Sequence, residues 1–255
     1  MRASIVVLAR RALRNAARKP QFLAPLVVFP TLFLALNVGG LHRTTALPGF
    51  PKVDGFLDFQ LAAGITQSLL LGGVSAGIAV ALDIEGGFFD RLVASPAPRA
   101  AIVLGRVLAA SVIAAGQVIY FLVLGAVFGV DIKGGVLGVL SVLAIGIVAG
   151  TGFGAIGVLI ALRARNASTV QGIFPLVFVV LFISSAFFPA DLLSSPADSV
   201  AAYNPLSYIA EGMRHPIAFA NDVGALLEGL GAATAVTAVA LGLSLQALRG
   251  RLRNA

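Results

Sequence analysis

Long apolar runs constrain this chain more than any other feature of its sequence. Six stretches have the roughly 20 apolar residues that a helix needs to cross the hydrocarbon core of a bilayer. Repeated glycine and the absence of a two-residue alternation favour helices over the strands of a barrel. We therefore expect an all-α integral membrane protein, one domain over residues 1–255, with six transmembrane helices at residues 21–41, 57–82, 107–129, 135–162, 170–188 and 223–247.

The composition limits the chemistry open to the chain. Charged residues make up 11% of it, whereas a soluble domain carries about 25%. It has no cysteine, which excludes disulfides and thiolate metal sites, and its two histidines, His42 and His215, lie in separate segments. No stretch matches the phosphate-binding pattern GxxxxGKS/T. We therefore predict no catalytic, cofactor-binding or metal-binding residues.

The distribution of basic residues predicts the orientation. Six spans put both termini on one side of the membrane, and lysine and arginine favour the cytoplasmic side. With cytoplasmic termini, fourteen basic residues fall in cytoplasmic segments and only four fall outside, namely Arg43, Lys52, Lys133 and Arg214. This distribution relates the net charge of +7 to the membrane surface, and we expect the lipid bilayer as a partner and no nucleic acid.

Residues 2–19 precede the first span and have the pattern of an amphipathic helix on the membrane surface. Arg10, Arg14 and Arg18 recur every four residues on one face, and apolar residues occupy the other. Such a helix lies in the headgroup layer with its apolar face buried. The alternative is a plain topology signal, although a topology signal alone needs no helical spacing.

The polar segment 83–106, between the second and third spans, carries six of the charged residues. At about 100° per residue it predicts a short helix with Asp83 and Asp90 on one side, ended by Pro96 and Pro98. The opposite face of this helix is apolar and consists of Ile84, Phe88, Phe89, Leu92 and Val93. Exposed apolar side chains beside fixed charges suit docking into a groove of a cytoplasmic partner. The alternative is a surface loop with its aromatic side chains in lipid.

Two further polar features have less specific interpretations. Residues 189–222 are too long for a turn and too often interrupted by proline to cross the membrane, so we expect short re-entrant or interfacial helices between spans five and six, with Glu211 and Arg214 solvated. Within the spans, Gln67 and Gln117 could line a pathway or form hydrogen bonds between helices, and we favour helix contact.

The energy source for any active transport is expected on another polypeptide. Ion-coupled carriers usually place ionisable side chains near the middle of the membrane, because a charge there is costly and is kept for function. The spans of this chain carry their ionisable residues only at their ends.

Taken together, the basic N-terminus, the six spans and the run D-I-E-G-G-F-F-D-R-L-V-A-S-P-A-P-R-A-A-I-V-L-G-R resemble the type-2 ABC transporter permeases. The closest resemblance is to the daunorubicin/doxorubicin-resistance type. The later segments S-S-A-F-F-P and Y-N-P-L-S-Y are similar to the family's external region. The family pattern after span two falls on Glu85, Gly87, Phe89, Arg91, Leu92, Ser95, Pro96, Arg99, Gly105 and Arg106.

The resemblance implies a permease that works with a second permease copy or paralogue and with two cytoplasmic ATPase subunits, which bind the ATP and Mg. In such permeases the loop after span two is a coupling helix seated in a groove of the ATPase, and the N-terminal helix lies beside it. The ATPase-coupling interface is thus expected at Asp83, Glu85, Gly87, Phe88, Phe89, Asp90, Arg91, Leu92, Pro96 and Arg99.

The expected function is therefore the membrane-spanning permease of an ATP-driven exporter in the cytoplasmic (inner) membrane of a bacterium. Its substrate would be an amphiphilic drug, a lipid or a glycan. Two other functions stay open at this point: an ATP-independent secondary carrier, and a membrane scaffold or immunity protein that transports nothing. The lack of mid-membrane charge counts against the carrier.

Overall fold

The structure, a computed structural model, describes residues 1–253 apart from the side chains at positions 22, 191, 252 and 253. Helices and turns, without strands, make up this part of the chain. Five helices are long and apolar enough to cross a membrane, which confirms the expected all-helical membrane protein. Residues 254 and 255 of the expected domain lie outside the described part. The five long helices are α2 (Pro20–Leu41), α3 (Phe56–Glu85), α5 (Arg99–Val127), α6 (Gly135–Ala164) and α11 (Val223–Arg253).

Shorter helices connect or flank the long ones. They are α1 (Arg2–Ala17), α4 (Phe88–Ala94), α7 (Ala167–Gly172), α8 (Phe174–Phe182), α9 (Ala197–Tyr203) and α10 (Pro205–Arg214).

The segment expected as the fifth span, residues 170–188, does not form one long helix. It contains the end of α7 and the whole of α8, which have six and nine residues and are each shorter than the roughly 20 residues of a full span. The side chain of Asn166 caps α7 by accepting the N–H groups of Ser168 and Thr169. A proline stands at the start of α8, where it interrupts the helical hydrogen bonds, and so the two helices stay separate. The six-span count stays a prediction.

The central helix is α3, and its closest neighbour is α6. A Cβ atom on Gly77 would lie 2.7 Å from the carbonyl oxygen of Gly157, so the two backbones approach closely only because both residues are glycine. Gly150 and Gly154 of α6 instead face two alanines of α5. The glycines at four-residue spacing thus serve helix contact within one chain.

Arg214, which was expected in solvent, is instead the largest fully buried side chain of the described part, at 1% exposure. Its Nε donates to the carbonyl of Phe59 at 3.1 Å, and its remaining nitrogens donate to Ser185, Ala186 and Glu211. The guanidinium also lies 3.9 Å from the centre of the Phe59 ring. Burial lowers the pKa of Arg214, and Glu211 partly opposes this change. The expectation was wrong because backbone carbonyls and an aromatic face converge on the guanidinium from distant parts of the chain.

Candidate functional site

The candidate site is the junction at which the polar segment 83–106 meets both ends of the chain. Gly86 and Gly87 follow α3, and Gly87 has a φ of 66°, a left-handed conformation that glycine adopts without a steric cost. The chain then reverses into α4. Ser95 is extended and is followed by Pro96 and Pro98, which end α4 before α5 begins. The sequence predicted one helix that includes Ile84, whereas Ile84 belongs to α3.

Phe89, predicted as part of an exposed docking face, is 3% exposed. It lies in a buried apolar cluster with Val80 and Ile84 of α3, Ile102 of α5 and Leu248 of α11. Leu92 and Val93 are partly buried against the same cluster. The apolar face of α4 thus packs inward on the long helices of the same chain.

An arginine from the start of the chain holds the first side of α4. The guanidinium of Arg11 in α1 lies 3.3 Å from the centre of the Phe88 ring. The same side chain forms an ion pair with Asp83 at 3.4 Å, and Arg106 of α5 pairs with the same carboxylate oxygen. Partial burial lowers the pKa of Arg11. One carboxylate is therefore shared by two arginines, from α1 and α5, and one of these arginines also covers α4.

An arginine from the end of the chain holds the other side of α4. Arg251, in the last turns of α11, donates to Asp90 at 3.1 Å, and its guanidinium lies 4.6 Å from the centre of the Phe89 ring. Each phenylalanine of α4 is thus covered by an arginine from an opposite end of the polypeptide. We call this arrangement of Arg11, Asp83, Phe88, Phe89, Asp90, Arg106 and Arg251 the arginine clamp.

Glu85, which was expected at the ATPase-coupling interface, has a hydrogen bond to another part of the same chain. Its side chain accepts a hydrogen bond of 2.9 Å from the N–H of Ala167, at the first turn of α7. A carboxylate at a helix N-terminus is stabilised by the free N–H groups there. The contact connects the end of α3 to the broken helical segment of α7 and α8.

Most of the predicted coupling residues keep some exposure at the junction. The exposed ones are Glu85, Asp90, Arg91, Pro96 and Arg99, and the partly exposed ones are Asp83, Gly87, Phe88 and Leu92. Among these predicted residues Phe89 alone is buried. Four of the five exposed residues are charged, so the exposed surface is mainly charged, where the sequence predicted an aromatic one.

Arg10, Arg14 and Arg18 of α1 are all exposed, and they share their face of the helix with Val6 and Val7, which are 59% and 65% exposed. The opposite face of α1 packs on α5, where Gly105 gives room for the crossing: a Cβ there would lie 2.7 Å from the Cβ of Leu8. The exposed mixture of basic and apolar residues is what a helix in the headgroup layer presents.

Gln67 and Gln117, the two amides predicted for a pathway or helix contact, have different surroundings. Gln117 of α5 donates to the backbone carbonyl and the hydroxyl of Ser68, at 2.7 Å and 2.9 Å. Ser68 in turn donates to the carbonyl of Leu26, so that Gln117 connects three helices. Gln67 is fully buried, and neither polar atom of its side chain has a hydrogen-bond partner among the described residues.

Three members of the arginine clamp, Arg11, Arg106 and Arg251, were not singled out as partners of α4 on the sequence. Arg11 lies off the face shared by Arg10, Arg14 and Arg18, and this departure from the four-residue spacing is a signal in the sequence. Arg251 lies 161 residues from Asp90 and offers no such signal.

Comparisons with known proteins identify the family of the chain. The family model described as ABC-2 type transporter matches residues 3–217, which include nearly all of α1, the members of the arginine clamp up to Arg106 and the chain through α10, but not α11. No curated protein matches the chain.

Proposed function

The chain belongs to the ABC-2 type transporter family, and from this premise we propose that it is the permease subunit of an ATP-driven exporter of the daunorubicin-resistance type. ATP is bound and hydrolysed with Mg by two separate ATPase subunits. A second permease copy or paralogue completes the translocation path. The substrate is an amphiphilic drug, a lipid or a glycan that moves outward.

The proposed orientation puts both termini, α1 and α4 in the cytoplasm of a bacterium. The asymmetry of the basic residues supports it. In this orientation α7, α8 and the turn that follows them act together as the fifth of six spans, and α9 and α10 form the external re-entrant segment. The arginine clamp then faces the compartment that contains ATP.

The observation that carries the proposal is the arginine clamp itself. A helix of seven residues has little stability of its own, and α4 keeps its position through Phe89 in the apolar cluster and through Arg11 and Arg251 at its two sides. A force on the charged surface of α4 is therefore transmitted to α1, α3, α5 and α11 together. Force transfer of this kind is what a permease without its own ATPase requires.

A cross-linking experiment tests the proposed partner. The chain has no cysteine, so one cysteine introduced at Ala94, an exposed residue of α4, is the only reactive thiol. In membranes of the source cell we expect the Ala94→Cys protein to cross-link to a polypeptide that contains a phosphate-binding loop. Ala202→Cys in α9, also exposed, is the matched control and should give no such product.

The coupling role is tested on the isolated complex. Arg91→Asp reverses a charge on the exposed surface of α4 and leaves the buried Phe89 in place. We expect it to lower the ATPase activity that the permease stimulates, with unchanged insertion and thermal stability of the permease. Normal stimulation by this variant, or a cross-linked partner without a phosphate-binding loop, would overturn the proposal.

A further inference from the structure

A groove on the side of the bundle next to the arginine clamp is not explained by the coupling role. It lies between α2 and α5, which scarcely contact each other, and α3 forms its floor. The end of α1 closes it at the side of the clamp. The empty space in the groove, together with the open solvent at its mouth, amounts to about 790 Å³, and residues of all four helices line it.

The walls of the groove are apolar and made largely of small side chains. Four alanines of α3 and α5 line it, together with Leu23, Leu26 and Ile113. Small side chains leave a narrow channel, and the larger ones at its edges give it an apolar rim. Such a channel accepts a flexible hydrocarbon chain better than a rigid polar molecule, because it offers few hydrogen-bonding groups.

The length of the groove matches one leaflet of a bilayer. Along α3 the lining runs from Gly72 to Asp83, which is about 16 Å at about 1.5 Å per residue. Half of a hydrocarbon core is about 15 Å thick. Gly72, at the end of the lining towards the middle of the membrane, lies next to Gln117, whose side-chain amide is held on Ser68.

The other end of the groove is polar and carries an excess of positive charge. Lys19 lies there at the junction of α1 and α2, beside the ion pair of Asp83 and Arg106. Asp83 is shared with Arg11 as well, so one carboxylate faces two guanidinium groups before Lys19 is added. Charge complementarity therefore favours a negative group at this end, at the level where lipid phosphates lie.

We propose that this groove binds one acyl chain of an anionic phospholipid of the cytoplasmic leaflet, with the headgroup phosphate between Lys19 and the Arg11–Asp83–Arg106 cluster. The second acyl chain stays in the surrounding bilayer. The bound lipid fills the gap between α2 and α5 and contacts α1. The assignment to the cytoplasmic leaflet rests on the proposed function and its orientation, but binding itself is measured on the permease without an ATPase.

Native mass spectrometry of the purified full chain measures the binding. The probes are dioleoyl phosphatidylglycerol, which is anionic, and dioleoyl phosphatidylcholine, which has no net charge. We expect one phosphatidylglycerol molecule to be retained more tightly than phosphatidylcholine. Lys19→Gln should weaken the retention of phosphatidylglycerol about fivefold, the effect of one cation near a lipid phosphate. Lys52→Gln, which removes an exposed lysine from the other end of the bundle, should leave retention unchanged.

A second pair of variants tests the position of the acyl chain. Ala79→Phe puts a large side chain into the groove from an exposed position of α3, whereas Ala238→Phe adds the same side chain to an exposed position of α11. We expect Ala79→Phe to lose the bound lipid and Ala238→Phe to keep it. In nanodiscs, a phosphatidylglycerol with a photoreactive acyl chain should label peptides of α2, α3 and α5.

Several results would overturn the proposal. These are equal retention of the two lipids by the unmodified chain, equal behaviour of Lys19→Gln and Lys52→Gln, and labelling confined to α11. Loss of a permease dimer by Ala79→Phe, with lipid retention intact, would assign the groove to a second copy of the chain instead. A failure of the ATPase cross-link would remove the coupling role and leave the lipid measurements unaffected.

Discussion

Removal of the Arg214 side chain should destabilise the protein more than removal of any other single charge. Arg214→Leu takes a charged donor from three buried carbonyls, those of Phe59, Ser185 and Ala186. A buried acceptor without a partner costs about 1–3 kcal/mol. The leucine recovers part of this through its apolar surface, worth about 1.5–3 kcal/mol when fully buried.

Glu211 moderates the loss, because its side chain is 33% exposed and water can solvate the carboxylate after the arginine is gone. Measured losses on breaking a buried charged pair are about 3–5 kcal/mol. We expect Arg214→Leu to lower the free energy of unfolding by about that amount. Arg214→Lys keeps the charge but loses the planar group that spans several acceptors and stacks on Phe59, so we expect about 1–3 kcal/mol.

Equilibrium unfolding of the purified protein in mixed micelles with increasing sodium dodecyl sulfate measures these differences. Arg43→Leu is the matched control, since Arg43 is exposed in the turn after α2, and it should change the free energy by less than about 0.5 kcal/mol. An Arg214→Leu protein within about 1 kcal/mol of the unmodified one would refute the reasoning. So would a lysine variant as stable as the original.

Three further predictions concern helix contacts and the arginine clamp. Phe89→Ala should lower the free energy of unfolding by about 3–5 kcal/mol, because it leaves a cavity in a buried site. Phe88→Ala should lower it by only about 1 kcal/mol, because it removes mainly the contact with Arg11. The same unfolding assay measures both differences. Gly157→Val should prevent the close approach of α3 and α6. We expect a greatly reduced yield of monodisperse protein, which size-exclusion chromatography measures. Asp83→Asn removes the counter-charge of Arg11 and Arg106. We expect it to reduce the ATPase activity that the permease stimulates. An activity equal to that of the unmodified complex would contradict the proposed role of the arginine clamp.

The long helices could be predicted from the sequence because hydropathy acts over 20 or more residues and averages out local exceptions. The region of residues 170–188 could not, since its apolar content is high enough for a span but a proline at the start of α8 separates α8 from α7. The proline is visible in the sequence. Its effect depends on whether neighbouring helices compensate for the lost hydrogen bond.

The polar segment 83–106 could be recognised in the sequence, and its role as a site stays a prediction. The period of Phe89, Leu92 and Val93 agrees with the face that packs on the long helices, whereas Phe88, predicted on the same face, is covered by Arg11. A period does not say what covers a face. Here the long helices cover Phe89 and two arginines cover its edges. Arg214 shows the same limit, because its acceptor on Phe59 lies 155 residues away along the chain.

The arginine clamp also has a consequence for the biogenesis of the protein. Arg11 precedes all five long helices in the order of synthesis, and Arg251 lies in the last turns of the fifth, α11, yet both contact α4. A nascent or truncated chain that lacks the end of α11 therefore has α4 held on one side only. The contacts of α4 are therefore complete only after α11 has been synthesised and packed, although α4 itself lies in the first half of the described chain.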